Sequence, residues 1–221
     1  MKKLSILLIS CLYLTSSAQQ TLRIKQLNGK TISTAALTTR LAHIVDSAKL
    51  AGLQVAIINN KTVWTGNFGY RNIEKQLRIE DETVMYAASL TKPVCAYLFL
   101  RLVEKGVFSL DKPIKHYLKK PIGQYPKWKD LGDDTTAFNQ ITARMLLSHS
   151  SGMPVLRYLY QDKVNLIAKP GEKFYYSNEG INLLGFMIEE YTGKRLEQLT
   201  KEEIFIPLGM DHTNMILGPC V

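Results

Sequence analysis

An apolar helix pattern begins just after Ser89 and carries Lys92 on its first turn. The apolar positions recur with the spacing of one buried helical face; they are Val94, Cys95, Leu98, Phe99, Leu102 and Val103. Because residues three apart share a helix face, the Lys92 amine can approach the Ser89 hydroxyl. A hydroxyl becomes a good nucleophile when a neighbouring base removes its proton. The pattern therefore predicts a helix from Ser89 to near Gly106, with a candidate nucleophile at its amino end.

The Ser-x-x-Lys pattern occurs twice, because Ser109-Leu-Asp-Lys112 also fits it. This second copy lies between Gly106 and Pro113, which are residue types that mark turns. Only the first copy stands at the start of an apolar helix. A non-catalytic interpretation stays open for it, with Ser89 as a helix N-cap and Lys92 as a solvated residue of the first turn.

A second candidate element is the segment Tyr176-Ser-Asn178. A phenol and an amide two residues apart can point into one cleft in an extended or tightly turned segment. A phenol near a lysine ammonium ionises more readily and can act as a general base. The amide can donate to a substrate carbonyl. Two alternatives remain, because Tyr70-Arg-Asn72 has the same pattern and Tyr176 could be a half-buried aromatic with its hydroxyl at the surface.

The order of these motifs resembles the serine β-lactamase-like family, which includes class C β-lactamases, D-alanyl-D-alanine carboxypeptidases and related esterases. Other segments are similar to recurring stretches of that family and follow the same order; they are a hairpin at Leu53–Tyr70, a helix and turn at Ile141–Pro154, and the segments Lys169–Phe174 and Ile206–Met210. The resemblance runs from about Leu37 to about Met215, so it covers most of the chain.

The resemblance implies an α+β fold of the β-lactamase/transpeptidase type, in which helices flank an antiparallel sheet and a helical subdomain is added. It also implies roles for the candidate residues. Ser89 is the acylated nucleophile, Lys92 and Tyr176 share the proton transfers, and Asn178 helps to hold the substrate amide. The implied substrate is a small molecule or peptide with a carbonyl group, and no metal or organic cofactor is implied.

One family motif, Lys-x-Gly or His-x-Gly on a late strand, is not found at its expected place. Lys169-Pro-Gly171 precedes the tyrosine motif and indicates a turn, and Tyr191-Thr-Gly193 has the form of a helix end. In the family that strand lines the cleft and supplies one backbone N–H of the oxyanion hole. The resemblance thus implies that the C-terminal strands are missing and would follow Val221.

Hydrophobic periodicity predicts one hairpin and several helices besides the helix at Ser89. The strands are expected at 54–59 and 63–70, and the helices at about 37–48, 180–191 and 195–205. The expected domain organisation is a signal peptide (1–18), an irregular N-terminal arm (19–35) and an incomplete hydrolase domain (36–221) with a helical subdomain at about 107–175.

The charge balance gives little support for nucleic-acid binding. The chain of 221 residues has 28 Lys and Arg against 19 Asp and Glu, a net charge of +9. The basic residues are scattered and form no stripe interleaved with aromatics. Association with an anionic cell envelope is compatible with this charge.

The cysteines and histidines indicate neither a disulfide framework nor a zinc site. Cys95 lies on the apolar face of the Ser89 helix and is expected to be a buried, small apolar side chain. His149 is expected at a helix end, where a positive charge would suit the helix dipole. The Gly-x-Ser-x-Gly elbow of many Ser-His-Asp hydrolases is absent from the sequence.

The first 18 residues have the form of a secretory signal, with Lys2 and Lys3, a short apolar core and small residues up to Ala18. Cleavage is expected after Ala18, which predicts a periplasmic or secreted protein. Leu8-Ile-Ser-Cys11 also resembles a lipoprotein cleavage box, so a lipid anchor at Cys11 is the alternative.

Together these features predict a secreted serine hydrolase that transfers an acyl group from an amide or ester to Ser89. A β-lactam, a D-alanyl peptide and a simple ester all present a suitable carbonyl. The alternatives are a non-catalytic penicillin-binding or envelope-binding protein on the same fold, and an inactive truncated fragment.

Overall fold

A computed structural model describes residues 22–131 and 135–216 of the chain. The expected signal peptide, its cleavage site after Ala18, Cys11 and Cys220 lie outside these residues. The chain divides into two compact units, one that ends at Thr83 and one that begins at Val84. The domain limits at 36 and 221 stay a prediction.

The first unit combines antiparallel sheets with one helix. Its elements are β1 (Arg23–Lys25), β2 (Thr31–Ser33), α1 (Thr34–Ser47), β3 (Gly52–Asn59), β4 (Thr62–Asn72) and β5 (Leu77–Arg78). β1 pairs with β2, and a second sheet has the order β3-β4-β5. The predicted hairpin and first helix are therefore confirmed. The expectation of an irregular arm is wrong for residues 23–25 and 31–33, which are strands, and for 34–35, which begin α1. Strands of three residues are too short for an alternation signal.

The β3–β4 hairpin depends on two residues with left-handed backbone. Asn60 has φ 57 in the two-residue loop between Asn59 and Thr62, and asparagine tolerates this conformation in tight hairpins. Gly69 has φ +72, and a Cβ at this position would lie 2.4 Å from the Ala51 carbonyl oxygen. Only glycine therefore fits this close approach of the two strands.

The second unit is helical. Its α-helices are α2 (Thr91–Glu104), α3 (Thr135–Phe138), α4 (Ala143–Leu147), α5 (Asn178–Thr192) and α6 (Leu196–Thr200), the last continued by a π-helical turn at Lys201–Phe205. Short 3-10 turns lie at Ala88–Leu90, Ile114–Tyr117, Ile122–Gln124, Pro126–Trp128 and Arg157–Tyr160. The helices predicted near 89–105, 180–191 and 195–205 are thereby confirmed within a few residues.

The core of the second unit is built on α2 and α5. The apolar face predicted for α2 is confirmed, with Cys95, Leu98, Phe99 and Leu102 buried. The facing residues of α5 are fully buried; they are Leu183, Leu184, Met187 and Ile188. Each such side chain contributes about 1.5–3 kcal/mol through burial, so these two helices form a firm base for the residues at their amino ends.

No helix in the described ranges has both the length and the apolarity needed to cross a membrane.

Candidate active site

Ser89 lies in the 3-10 turn that leads into α2, and it is exposed to solvent. The residue before it, Ala88, has φ 45. A residue with a Cβ in this left-handed region costs about 1–2 kcal/mol, and such strain persists only where the surrounding structure imposes it. Pro93 lies in the first turn of α2. The missing N–H of proline does not weaken the helix there, because backbone N–H groups of the first turn make no hydrogen bond within the helix.

Two side chains converge on the Ser89 hydroxyl. The Lys92 Nζ donates a hydrogen bond to Ser89 Oγ at 3.0 Å. The Tyr176 hydroxyl donates to the same oxygen at 2.9 Å. Lys92 is close because it lies one turn along the helix, whereas Tyr176 comes from the distant segment that precedes α5. The structure thus brings together three of the residues singled out from the sequence.

The environment of Tyr176 favours ionisation of its phenol. Hydrogen bonding with Lys92 and then with Ser89 lowers the pKa of Tyr176 below its ordinary value, and the nearby Lys92 charge acts in the same direction. The Lys92 Nζ also lies 4.8 Å from the centroid of the Tyr176 ring. An ionised phenol beside the serine can accept the proton of the serine hydroxyl.

Asn178 begins α5, directly after its N-cap Ser177. It lines a cavity of about 530 Å³ together with Ser89 and Lys92. The Asn178 Oδ1 is buried and has no hydrogen-bond partner among the residues that the structure describes. Tyr176 lines a second cavity, of about 380 Å³, which Ser89 and Lys92 also border. Tyr176 and Asn178 therefore line two different cavities, and Ser89 and Lys92 border both of them.

The second copies of both motifs have other surroundings. Ser109 Oγ accepts a hydrogen bond from the Asp111 backbone N–H at 3.3 Å, and the Lys112 Nζ lies 5.1 Å from the Tyr117 ring centroid. This segment is a turn, as predicted. Tyr70 lies on β4 with the Arg78 guanidinium 4.9 Å from its ring centroid.

Both Gly-containing segments considered for the late motif have the local structure predicted for them. Gly171 has φ +84, and the Glu172 N–H closes the turn on the Lys169 carbonyl at 3.1 Å. Gly193 caps α5 with φ 69 and donates its N–H to the Glu189 carbonyl. Neither segment lines either cavity that borders Ser89.

Sequence reasoning did not connect two neighbouring residues, Ser177 and His149, with the site. Ser177 is buried; its Oγ accepts the Gly180 N–H and donates to the Pro154 carbonyl, both at 2.8 Å. His149 packs against Tyr176. Burial, followed by the charge of Lys92, lowers the pKa of His149, so its ring is neutral near pH 7. His149 directly follows the C-cap of α4, as expected, but it does not carry the positive charge that would suit the helix dipole there.

Among the described residues, no group of three or more His, Cys, Asp or Glu side chains could hold a metal ion.

Comparisons with known proteins agree on one family. Residues 37–219 match the family model described as Beta-lactamase. Protein flp of Staphylococcus aureus strain MW2 is 26% identical over 196 residues, which are 80% of this chain and 37% of that protein. The human mitochondrial serine beta-lactamase-like protein LACTB is 31% identical over 114 residues, which are 51% of this chain and 19% of that protein.

Solved structures show the same fold. The octameric penicillin-binding protein homologue from Pyrococcus abyssi aligns with a TM-score of 0.65 and 29% identity, over 81% of this chain and 44% of that one. A Beta-lactamase/D-alanine carboxypeptidase from Yersinia pestis aligns with a TM-score of 0.67 and 23% identity, over 85% of this chain and 57% of that one. The chain spans less than two thirds of each relative. By its family match and its α+β fold, the chain belongs to the β-lactamase family.

Proposed function

We propose that the chain acts as a serine hydrolase in which Ser89 accepts an acyl group from an amide or ester. The observation that carries the proposal is the position of Ser89 Oγ, 3.0 Å from Lys92 Nζ and 2.9 Å from the Tyr176 hydroxyl. A serine activated by adjacent proton-transfer groups is the arrangement that nucleophilic catalysis requires.

The chemistry follows from these contacts. The ionised Tyr176 phenol removes the proton from Ser89 Oγ while the Lys92 ammonium stabilises the phenolate. Oγ then attacks the substrate carbonyl carbon, and the carbonyl oxygen takes the π electrons. When the carbonyl re-forms, the bond to the leaving nitrogen or oxygen breaks, and Tyr176 returns the proton to the leaving group. Water then gives a proton to the same groups and attacks the acyl carbon; the bond from that carbon to Ser89 Oγ breaks, and the proton returns to Ser89 Oγ.

Two further groups suit the substrate. The backbone N–H of Ser89 precedes the first hydrogen bond of its turn, which joins the Leu90 N–H to the Ala87 carbonyl at 2.9 Å. An N–H at the start of a helical turn has no acceptor within that turn, so it can stabilise the developing oxyanion. The unpartnered Asn178 Oδ1 can accept a substrate amide N–H, which relieves the cost of a buried unsatisfied acceptor.

The substrate classes that fit are β-lactams, D-alanyl peptides and simple esters, because each offers a carbonyl with a leaving group. Export to the periplasm or the medium is part of the proposal and rests on the sequence of residues 1–18. A non-catalytic penicillin-binding protein would share the acylation step and differ only in the fate of the acyl group.

The direct test uses a fluorescent penicillin and, separately, a fluorophosphonate, followed by peptide mass mapping. We expect the adduct on Ser89. An adduct on Ser109, or no adduct with either reagent, would contradict the proposal. The lifetime of the penicillin adduct then separates the two functions, because a hydrolase loses the acyl group in repeated turnovers and a penicillin-binding protein retains it.

Replacing Tyr176 by phenylalanine should slow acylation of Ser89 by roughly 100-fold or more, the scale of a lost general base. The change removes one oxygen and little volume. Because the pKa of Tyr176 is lowered, the parent rate should rise with pH at a midpoint below the value of about 10 for a free phenol. The phenylalanine variant should lack this rise. Stopped-flow labelling across the pH range measures both effects.

The matched control is Tyr70→Phe, which alters the other Tyr-x-Asn copy on β4. It should leave the acylation rate unchanged. Equal losses from both substitutions would mean that the phenol at 176 has no special role.

A further inference from the structure

His149 bonds the backbone on both sides of Tyr176. The Tyr175 N–H donates to the His149 carbonyl at 2.7 Å. The Ser177 N–H donates to His149 Nδ1 at 3.1 Å. One residue therefore accepts the two N–H groups that flank the tyrosine, once with its backbone and once with its side chain.

The imidazole of His149 also packs against the phenol ring itself. The ring centroids of His149 and Tyr176 are 4.7 Å apart with an interplanar angle of 38°. Phe174 also meets the imidazole edge to face, with ring centroids 5.8 Å apart and an interplanar angle of 82°. Such contacts restrict the angle at which the Tyr176 side chain leaves the backbone.

His149 is itself held in place. Its backbone has φ 55, in the left-handed region just beyond the end of α4. The next residue is fixed by two backbone hydrogen bonds, from the Ser150 N–H to the Met145 carbonyl at 2.8 Å and from the Gly171 N–H to the Ser150 carbonyl at 2.7 Å. The imidazole is thus attached to a well-bonded turn rather than to a free loop.

The hydrogen bond also determines the state of the ring. Because Nδ1 accepts the Ser177 N–H, the proton of the neutral imidazole lies on Nε2. The lowered pKa of His149 keeps the ring neutral and preserves Nδ1 as an acceptor near pH 7. If His149 were protonated, Nδ1 would carry a proton that points at the Ser177 N–H, and the hydrogen bond between them would be lost.

We propose that His149 is a positioning residue that holds the Tyr176 phenol within hydrogen-bond distance of Ser89, and that it transfers no proton itself. The inference rests on the proposed function. Its physical reason is that a displacement of about 1 Å at a reacting group can cost on the order of 100-fold in rate. Without the contacts to His149, only the torsion angles of Tyr176 itself would oppose such a displacement of the phenol.

The test compares two variants that both tolerate a left-handed backbone. His149→Gly removes the acceptor and the ring. His149→Asn removes the ring but provides Oδ1, which can accept the Ser177 N–H, and asparagine adopts left-handed conformations readily. His116→Asn, at an exposed position in the second unit, is the matched control.

We expect His149→Gly to lower the rate constant for acylation at saturating fluorescent penicillin by about 10-fold to 100-fold. The half-saturation concentration should stay nearly unchanged. His149→Asn should recover most of the rate, and His116→Asn should match the parent. Thermal melts establish that each variant is folded at the assay temperature.

A second readout does not depend on activity. In protein labelled with ¹³C-tyrosine, the resonance of Tyr176, assigned with Tyr176→Phe, reports ionisation of its phenol. The groups that face this phenol are Lys92, Ser89 and His149. In His149→Gly its titration midpoint should move up towards that of a free phenol, because the phenol leaves Lys92 and Ser89.

The outcomes separate the two proposals. If the parent is not acylated but the Tyr176 midpoint moves in His149→Gly, the proposed function fails and the positioning role stands. If His149→Gly is acylated at the parent rate with an unchanged Tyr176 midpoint, the positioning role is overturned. If either His149 variant is slow while its Tyr176 midpoint stays at the parent value, His149 affects the rate without positioning the phenol, and the inference is likewise overturned.

Discussion

Replacing Ser89 by alanine should abolish the covalent adduct and lower hydrolysis by on the order of 10⁴-fold or more. In the parent, Lys92 and Tyr176 both donate to Ser89 Oγ. Without that oxygen the two groups have no nucleophile to activate, and only substrate binding and polarisation of the carbonyl remain. Burst-phase labelling measures the amount of covalent adduct, and steady-state ester hydrolysis on the same preparations measures the loss of turnover.

Ser109→Ala is the appropriate control because it removes the hydroxyl of the other Ser-x-x-Lys copy. That hydroxyl accepts the Asp111 N–H in a turn, so its loss should leave labelling at the parent rate. If Ser89→Ala were labelled as fast as the parent, the nucleophile would have to lie elsewhere in the chain.

Replacing Glu179 by alanine should lower the free energy of unfolding by about 3–5 kcal/mol, the cost of leaving a buried ion pair with one partner. Glu179 is 3% exposed, and Arg157 binds it through Nη2 at 2.7 Å, through Nε at 3.2 Å and through its backbone N–H at 3.1 Å. The Arg157 guanidinium also lies 5.0 Å from the Trp128 ring centroid. The alanine variant leaves this cation without its carboxylate.

The same pair predicts a direction for acid denaturation. Burial opposes ionisation of Glu179, but the hydrogen bonds from Arg157 prevail and hold its pKa below the ordinary value. A carboxyl group with a lowered folded-state pKa stabilises the fold fully above its unfolded pKa of about 4.3 and loses that contribution as the pH falls through the folded value. The parent should therefore lose stability below about pH 4.3 more steeply than Glu179→Ala.

Chemical denaturation at pH 7 and at pH 3 measures both effects. Glu202→Ala provides the control, since Glu202 and Lys194 form an exposed pair at 2.8 Å whose loss should cost less than about 1 kcal/mol. Arg157→Met combined with Glu179→Gln should recover part of the loss, because it removes both charges. A cost for Glu179→Ala no larger than that for Glu202→Ala would show that the buried pair does not stabilise this unit.

The parts of the fold that sequence reasoning predicted are those set by local pattern. The apolar face of α2, the β3–β4 hairpin and the end of α5 at Gly193 follow from periodicity and turn residues. The Ser89–Lys92 contact is local too, since it spans one helical turn. The strands β1, β2 and β5 carry too few residues for a pattern to be visible.

The rest of the candidate site depends on tertiary contacts. Tyr176 reaches Ser89 across 87 positions of sequence, and only the resemblance to a family linked the two. The bonds from Tyr175 and Ser177 to His149 use backbone groups, which no side-chain motif reveals. His149 lies just beyond the end of α4, as expected, but its neutral state depends on burial and on the nearby charge of Lys92, which are tertiary effects.

The left-handed backbone of Ala88 has a consequence for variation at that position. An exposed side chain usually tolerates almost any replacement, and Ala88 is exposed. Its φ of 45, however, admits glycine, asparagine and aspartate far more readily than β-branched or bulky residues. In a saturation-mutagenesis profile, position 88 would show the narrow tolerance of a core residue although its side chain is exposed. Selection at position 88 would act on the backbone conformation, which determines the position of the Ser89 hydroxyl.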